Sequence, residues 1–295
     1  MITTTAKMRP RRPAPTKGRL GLAAKYGVLV AYTAFALGPL VWMLSASVKP
    51  TDEVLQVPVN LIPSRLQLDN YLEALFAPRF TGHTFAEFLW NSVLVATITS
   101  VAAIGISIMV GYGFAKFRFR GRDGLMWTIL GSTLLPFASV LIPLYLVIKA
   151  MGLSDTLAAL IIPFVVAGQS LFVARQFILA IPDEYLEAAR IDGLSEFGIF
   201  RKIILPLSGP AVTTVAVMTF LFSWSQFLWP LVVASSQQNY TAPLGLSLLG
   251  LGGTFNTEYN IWMAAAVLAI IPPLVFFMIL ERPYLRGLEA LSGLK

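Results

Sequence analysis

The residues best placed to do chemistry lie in one charged interruption of an otherwise apolar chain, Pro182–Pro206. Asp183, Glu184, Glu187, Asp192 and Glu196 crowd there around Arg190. The chemistry they suit is recognition of another protein. The chain has no cysteine and one histidine, His83, which excludes disulfides, thiolate catalysis, a His pair for proton relay and a Cys/His metal cluster. No phosphate-cradling Gly-rich loop of the Walker type is present. Pro182 fits the first position of a helix, with Asp183 and Glu184 at its positive end. Gly193 suits its C-terminal cap, and Ser195 can cap a second short helix running through Phe200. Ala188 and Ala189, beside Tyr185, Leu186 and Ile191, make a compact apolar surface rimmed by Glu187, Arg190 and Asp192. Such a surface could rest on lipid or seat in a cleft of a partner. The acids would be repelled by an anionic leaflet, which favours the cleft.

The elements that must position this loop are membrane spans. Of all residues 56% are hydrophobic and 13% charged, against roughly 25% charged in soluble domains, and the mean hydropathy is +0.73. Six charge-free stretches are long enough to cross a bilayer: Tyr26–Val48, Phe88–Ala115, Gly124–Ile148, Thr156–Ala174, Ile203–Ala234 and Tyr259–Leu280. A core of ~30 Å needs about 20 apolar residues as helix, and lipid cannot satisfy an open strand edge. The fold expected is therefore an all-α polytopic membrane protein with six transmembrane helices. Its parts are a disordered basic tail at 1–25, a six-helix domain at 26–281 that includes the 182–206 loop, and a C-terminal tail at 282–295. The first span is too long for a signal-peptide core, so it is expected to be retained. The fifth span is longer than needed, which points to a lead-in around Leu205 and Pro206. Leu244–Leu251 is short and Gly-rich and reads as a loop or shallow re-entrant piece.

The net charge of +7 follows the membrane pattern, with no basic face for nucleic acid. With the N-terminus in the cytoplasm, 18 of the 22 Lys and Arg residues fall inside, leaving Lys49, Arg65, Arg79 and Lys149 outside. Both termini are then expected in the cytoplasm. In the first outer loop, Asp69–Phe76 reads as a short amphipathic helix, either an interfacial elbow or a contact for an external partner.

Prolines are frequent in the spans, including Pro39, Pro136, Pro143, Pro163, Pro210, Pro230, Pro272 and Pro273; each tends to kink its helix. No acid, Lys, Arg or His sits mid-span, although ion-coupled carriers usually need one. A neutral polar set remains, including Asn91, Ser92, Thr97, Thr99, Gln169, Ser170, Ser223, Ser225 and Gln226. These could hydrogen-bond sugar hydroxyls, with Trp224 or Trp229 against a ring face, or simply bond helix to helix.

The loop resembles a known motif. Glu187–Ala188–Ala189, then Gly193, Ile203, Leu205 and Pro206 at the family's spacing, is similar to the EAA loop of ABC-importer permeases. The likeness extends to the second permease of the carbohydrate importers, of the maltose type. Pro39–Ser47, Asn70–Tyr71, Asn91–Ser92, Tyr112–Phe117, Phe119, Gly121–Arg122 and Tyr284–Leu288 also match its pattern. The resemblance implies a heterodimer with a second, related permease in the bacterial cytoplasmic membrane. It also implies two ATPase subunits, which would hold the ATP and Mg, an extracytoplasmic solute-binding protein, and no cofactor on this chain. Contact with the ATPase would fall to Glu184, Glu187, Ala188, Ala189, Asp192, Gly193, Phe197, Leu205 and Pro206. The solute pathway, chosen from the polar and aromatic residues of the spans by type, is expected at Asn91, Gln169, Trp224, Ser225 and Gln226. Where the family often has Trp–Asn and an acid, this chain has Trp224–Ser225–Gln226, which weakens any solute inference from that stretch. The implied cargo is a mono- or oligosaccharide, a polyol or glycerol 3-phosphate.

Two other readings compete. A self-contained secondary transporter would need a coupling carboxylate and an internal repeat. An intramembrane enzyme would need a nucleophile with a base or a metal set.

Overall fold

The computed structural model describes residues 17–78, 82–251 and 258–292. The tail before Lys17 lies outside them, as do Gly293–Lys295. The first apolar run forms α1 (Lys17–Ser47), whose spanning part, Ala24–Ser47, has no buried residue in its most apolar window. α2 (Asp69–Phe76) follows, then α3 (Phe85–Lys116), a continuous 32-residue helix. The expected third span is two helices, α4 (Arg122–Ser132) and α5 (Phe137–Ala150), meeting at 101°. Pro136 explains the break, because it lacks an amide proton and forces Leu135 out of helical geometry. The fourth is α6 (Leu157–Ile161), a 3₁₀ turn at Ile162–Phe164 that contains Pro163, and α7 (Gly168–Leu179), bent by 45°.

The charged loop folds as α8 (Asp183–Ile191) and α9 (Glu196–Ile199), then a π-helical turn at Phe200–Ile204 and α10 (Leu205–Leu207). The Glu196–Leu207 segment meets α11 (Gly209–Trp224) at 73°, so Leu205 and Pro206 do form a lead-in to the fifth span. α12 (Leu228–Val233) continues that run beyond a break at Ser225–Phe227. α13 (Ala242–Leu251) and α14 (Tyr259–Ser292) complete the chain, and no strand occurs among the described residues.

One expectation needs correction: Lys17–Lys25 is helical and joins α1, so the expected tail shortens at that end. α14 runs past Leu280 to Ser292 without a break, so the described part of the C-terminal tail continues the last helix. Leu244–Leu251 is helical, which removes the loop alternative and leaves that of a shallow re-entrant piece, and its glycines serve close packing. A Cβ on Gly245 would lie 2.3 Å from the Phe88 ring, and one on Gly250 would lie 2.4 Å from Trp262.

α3 is the axis of the molecule, with α7, α11 and α13 packed on it. At Gly111 a Cβ would sit 3.1 Å from both the Ala174 Cβ and the Arg175 amide nitrogen, which lets α3 and α7 approach closely. Where lipid replaces water, such small-residue contacts hold helices together through packing. At the end of the molecule away from α8, Asn70 of α2 donates to the carbonyls of Ser47 (2.9 Å) and Lys49 (3.0 Å) and accepts from Asn260 (3.1 Å). A buried carboxamide with its groups satisfied thus binds α2 to the end of α1 and the start of α14, which fits the elbow reading. The buried indole of Trp229 donates to the Ala159 carbonyl at 2.9 Å and joins α12 to α6.

Candidate functional site

The loop caps follow the sequence with a one-residue shift at each end of α8. Pro182 is the N-cap in extended geometry, so Asp183 and Glu184 open α8 one residue later than expected. Asp192 caps the other end and Gly193 follows at φ +80°, a conformation that strains any residue with a Cβ. The amides of Asp192 and Gly193 return to the carbonyls of Ala188 (2.9 Å) and Arg190 (3.0 Å). Ser195 Oγ accepts from the Gly198 amide at 3.2 Å, an N-cap worth ~1 kcal/mol.

The apolar face divides in two, contrary to the single surface expected. Leu186 and Ala189, three residues apart on α8, turn inward and pack with Ile108, Tyr112 and Ile178. Ala189 therefore supports the loop from behind. Tyr185, Ile191 and Phe197 are 58%, 86% and 69% exposed. Glu184, Glu187, Ala188, Asp192 and Gly193 share this outer side, and Leu205 and Pro206 are exposed farther along. Helical geometry decides the split: positions three or four apart share a face, and Ala188 and Ala189, being adjacent, do not.

Sequence reading missed what holds the loop in place. Lys116, at the last turn of α3, donates to Asp183 Oδ1 at 2.6 Å and to the Ile181 carbonyl at 2.5 Å. One turn earlier, the Tyr112 hydroxyl donates to Glu196 Oε2 at 2.8 Å, and Arg190 Nε donates to Glu196 Oε1 at 2.8 Å. α8, α9 and α3 are therefore fastened at two points. The Lys116 ammonium holds the Asp183 carboxyl below its usual range. Arg190 does the same to Glu196 against the opposing effect of burial, helped by the Tyr112 hydroxyl. Tyr112–Phe117 stood out in the sequence as a motif, but its loop partners are far away along the chain.

The five expected pathway residues do not converge. Asn91 spends its amide on the carbonyls of Gln238 (2.8 Å) and Tyr240 (2.9 Å). Trp224 is buried and stacks with Phe220. Ser225 donates to the Phe222 carbonyl at 3.1 Å, and Gln226 lies with it in the break before α12. Gln169 alone lines a cavity of about 350 Å³, together with Thr99, Thr133, Phe164, Ser170 and Thr219. Only Thr99, Gln169 and Ser170 of the neutral polar set meet there. Asp155, also unremarked in the sequence, ties the far end. It has φ 59°, accepts the Ser235 (2.9 Å) and Ser236 (2.8 Å) amides, and bonds the Ser236 hydroxyl. Burial raises its pKa, but these donors and Asn239 outweigh it and hold the carboxyl below the usual range. Among the described residues no group of His and acids could hold a metal ion.

Comparison with known proteins bears on this geometry. The family described as "Binding-protein-dependent transport system inner membrane component" matches residues 103–284. The chain is 35% identical to the arabinooligosaccharides transport system permease protein AraQ of Halalkalibacterium halodurans, covering 90% of this chain and 94% of that one. It is also 35% identical to the sn-glycerol-3-phosphate transport system permease protein UgpE of Brucella melitensis, covering 85% and 89%. A chain from a bacterial ABC transporter that imports the acidic polysaccharide alginate superposes with a TM-score of 0.79 at 21% identity, over 92% of this chain and 99% of that one. That last likeness is one of fold.

Proposed function

Because the chain belongs to the family of inner membrane components of binding-protein-dependent transport systems, we propose that it forms half of the translocation pathway of an ATP-driven importer for a sugar or related solute. In this reading α8 and α9 dock on a separate ATPase subunit, a second related permease completes the pathway, and a solute-binding protein delivers the cargo. Both termini then face the cytoplasm. The relatives named for arabinooligosaccharides and sn-glycerol 3-phosphate support a sugar or sugar-like cargo.

The observation that carries the reading is the capped, outward-facing loop fastened to α3. Its outer side offers Ala188, Tyr185, Ile191 and Phe197 for a cleft, with Glu184, Glu187 and Asp192 for basic groups around it. Its inner side is buried and bonded, so a push on the loop moves α3 with it. Closure of an ATPase pair on ATP would supply that push. ATP and Mg would sit on the ATPase, and this chain would bind no cofactor.

The test is Gly193→Asp in the whole complex. We expect lost uptake and loss of the co-purifying ATPase, because a side chain at this φ strains the turn. Phe197→Ala guards against simple misfolding: the ring is 69% exposed, so its removal should weaken ATPase retention while leaving the chain folded. Normal uptake and assembly in both variants would overturn the docking assignment.

A further inference from the structure

We propose that the turn joining α3 to α4 is a binding site for the headgroup of an anionic phospholipid, in the leaflet on the α8–α9 side of the membrane. The proposal rests on the hydropathy of the spans and the geometry of the turn, and stands apart from the importer reading. The charge-free stretch of α3 ends at Ala115 and the next begins at Gly124, so Lys116–Asp123 crosses the headgroup layer between two spans. Lys116 bonds Asp183, which puts the turn on the same side of the membrane as the charged loop. Arg118, Phe119, Gly121, Arg122, Asp123 and Gly124 line a hollow there of about 520 Å³, a size within the ~300–1,000 Å³ of small-molecule sites.

The turn sorts its side chains by alternation. Helix stops at Lys116 and Phe117 is extended, and in extended chain successive side chains take opposite sides. Phe117 folds back edge-on against Tyr112 at 5.2 Å, and Phe119 against Phe114 at 5.6 Å. Arg118 is therefore turned away from α3, with Arg120 two positions on, and both are exposed. Two residues of extended chain span ~6.6 Å, close enough for both guanidinium groups to grip one phosphate, a group whose geometry arginine matches. Gly121, at φ +84°, then makes the bend into α4. The acids nearby have cations of their own. Asp183 takes Lys116 at 2.6 Å and Asp123 takes Arg122 at 3.1 Å, while Arg122 also reaches the Phe117 carbonyl at 3.5 Å. Arg118 acts on Asp183 through space. Among the described residues neither Arg118 nor Arg120 forms an ion pair, so the turn keeps an excess of positive charge. The apolar side chains around it favour lipid over a soluble anion. Phe119, Leu125 and Trp127 are 45%, 49% and 72% exposed, and an indole near the end of a span suits the headgroup level.

The test uses the complete complex in phosphatidylcholine nanodiscs carrying a trace of diazirine-bearing phosphatidylglycerol, or of phosphatidylcholine with the same photoreactive acyl chain. Cross-links within residues 117–127 are mapped by mass spectrometry. The wild type should favour phosphatidylglycerol at least about fivefold, since one cation near an anionic lipid contributes roughly that factor. Arg118→Gln with Arg120→Gln should bring the two lipids close to equal labelling. Arg118→Lys with Arg120→Lys keeps the charge and should retain a preference; its loss there would mean that the shape of the turn sets the labelling, and would overturn the proposal. Equal labelling in the wild type, or an undiminished preference in the glutamine variant, would also overturn it. So would loss of the preference in sodium phosphate but not in sodium chloride of the same ionic strength, which would assign the hollow to a soluble phosphate. Loss of a co-purifying ATPase subunit from the glutamine variant alone would give the two arginines to that partner and overturn the lipid assignment. A wild-type complex without an ATPase subunit would instead refute the importer reading, and the lipid comparison would still decide the proposal.

Discussion

The Tyr112 hydroxyl of α3 and the Glu196 carboxylate of α9 meet at 2.8 Å, so the last turns of a central spanning helix and the second helix of the loop move together. Arg190 of α8 holds the other oxygen of the same carboxylate at 2.8 Å. One acid thus gathers three helices.

Tyr112→Phe removes this bond while keeping the ring, which packs edge-on to Phe117 and tilted against Phe200. In the proposed importer the complex should still assemble with an ATPase subunit, yet solute uptake per ATP hydrolysed should fall several-fold, since a charge-assisted bond contributes ~1.5–3 kcal/mol before solvent screening. Paired uptake and ATPase assays measure the ratio. An unchanged ratio would remove the Tyr112–Glu196 tie from the coupling path.

Lys116→Asp should loosen the start of α8, because Asp183 would then face a like charge. The double variant Lys116→Asp with Asp183→Lys should recover part of the lost uptake. A double-mutant cycle isolates the pair's coupling; no recovery would mean that the Ile181 carbonyl contact of Lys116 matters more than the ion pair.

Both Asp183 and Glu196 have folded pKa values below their ordinary ones. The stabilisation they provide is therefore fully present above the ordinary carboxylate range and is lost as pH falls through the lowered folded values. The protection of amides 183–202 against hydrogen exchange, taken relative to each amide's intrinsic rate at that pH, should stay constant from neutrality to about pH 5 and fall only below about pH 4. In Lys116→Gln the Asp183 end should lose protection at higher pH than in the wild type. Protection lost between neutrality and pH 5 in the wild type would contradict the assignment.

Gly245→Ala should destabilise the packing of α13 on α3, because the added Cβ would lie 2.3 Å from the buried Phe88 ring. Overpacking of this kind costs ~1–3 kcal/mol, visible as a lower thermal midpoint in detergent. Phe88→Leu in the same chain should recover part of the loss by making room.

The legible part of the site is local. Pro182, Gly193 and Ser195 announce their caps through backbone preferences that act within a few residues, and the structure shifts Pro182 and Gly193 by one position each, to the N-cap and to the residue after the Asp192 C-cap. The inward turn of Ala189 was hidden because an apolar face read from composition does not say which side the rest of the chain will cover. Asn91, Trp224 and Gln226 looked like pathway groups by type alone. In the structure Asn91 bonds the Tyr240 carbonyl, Trp224 stacks on Phe220 and Gln226 lies in the break before α12, none of which a pattern of polar residues reveals.

The sequence by itself determined that the chain spans a membrane, where the long apolar runs lie and where the charged loop falls. Those outcomes follow from hydropathy over about 20 residues and from capping, both local in the chain. Only the tertiary structure decided that Tyr112 and Lys116 grip the loop, that Asp155 ties the far end, and that the α4–α5 and α6–α7 breaks meet α3 and α11 around Thr99 and Gln169. Each of these joins residues far apart in sequence, and their partners are chosen by how the helices pack.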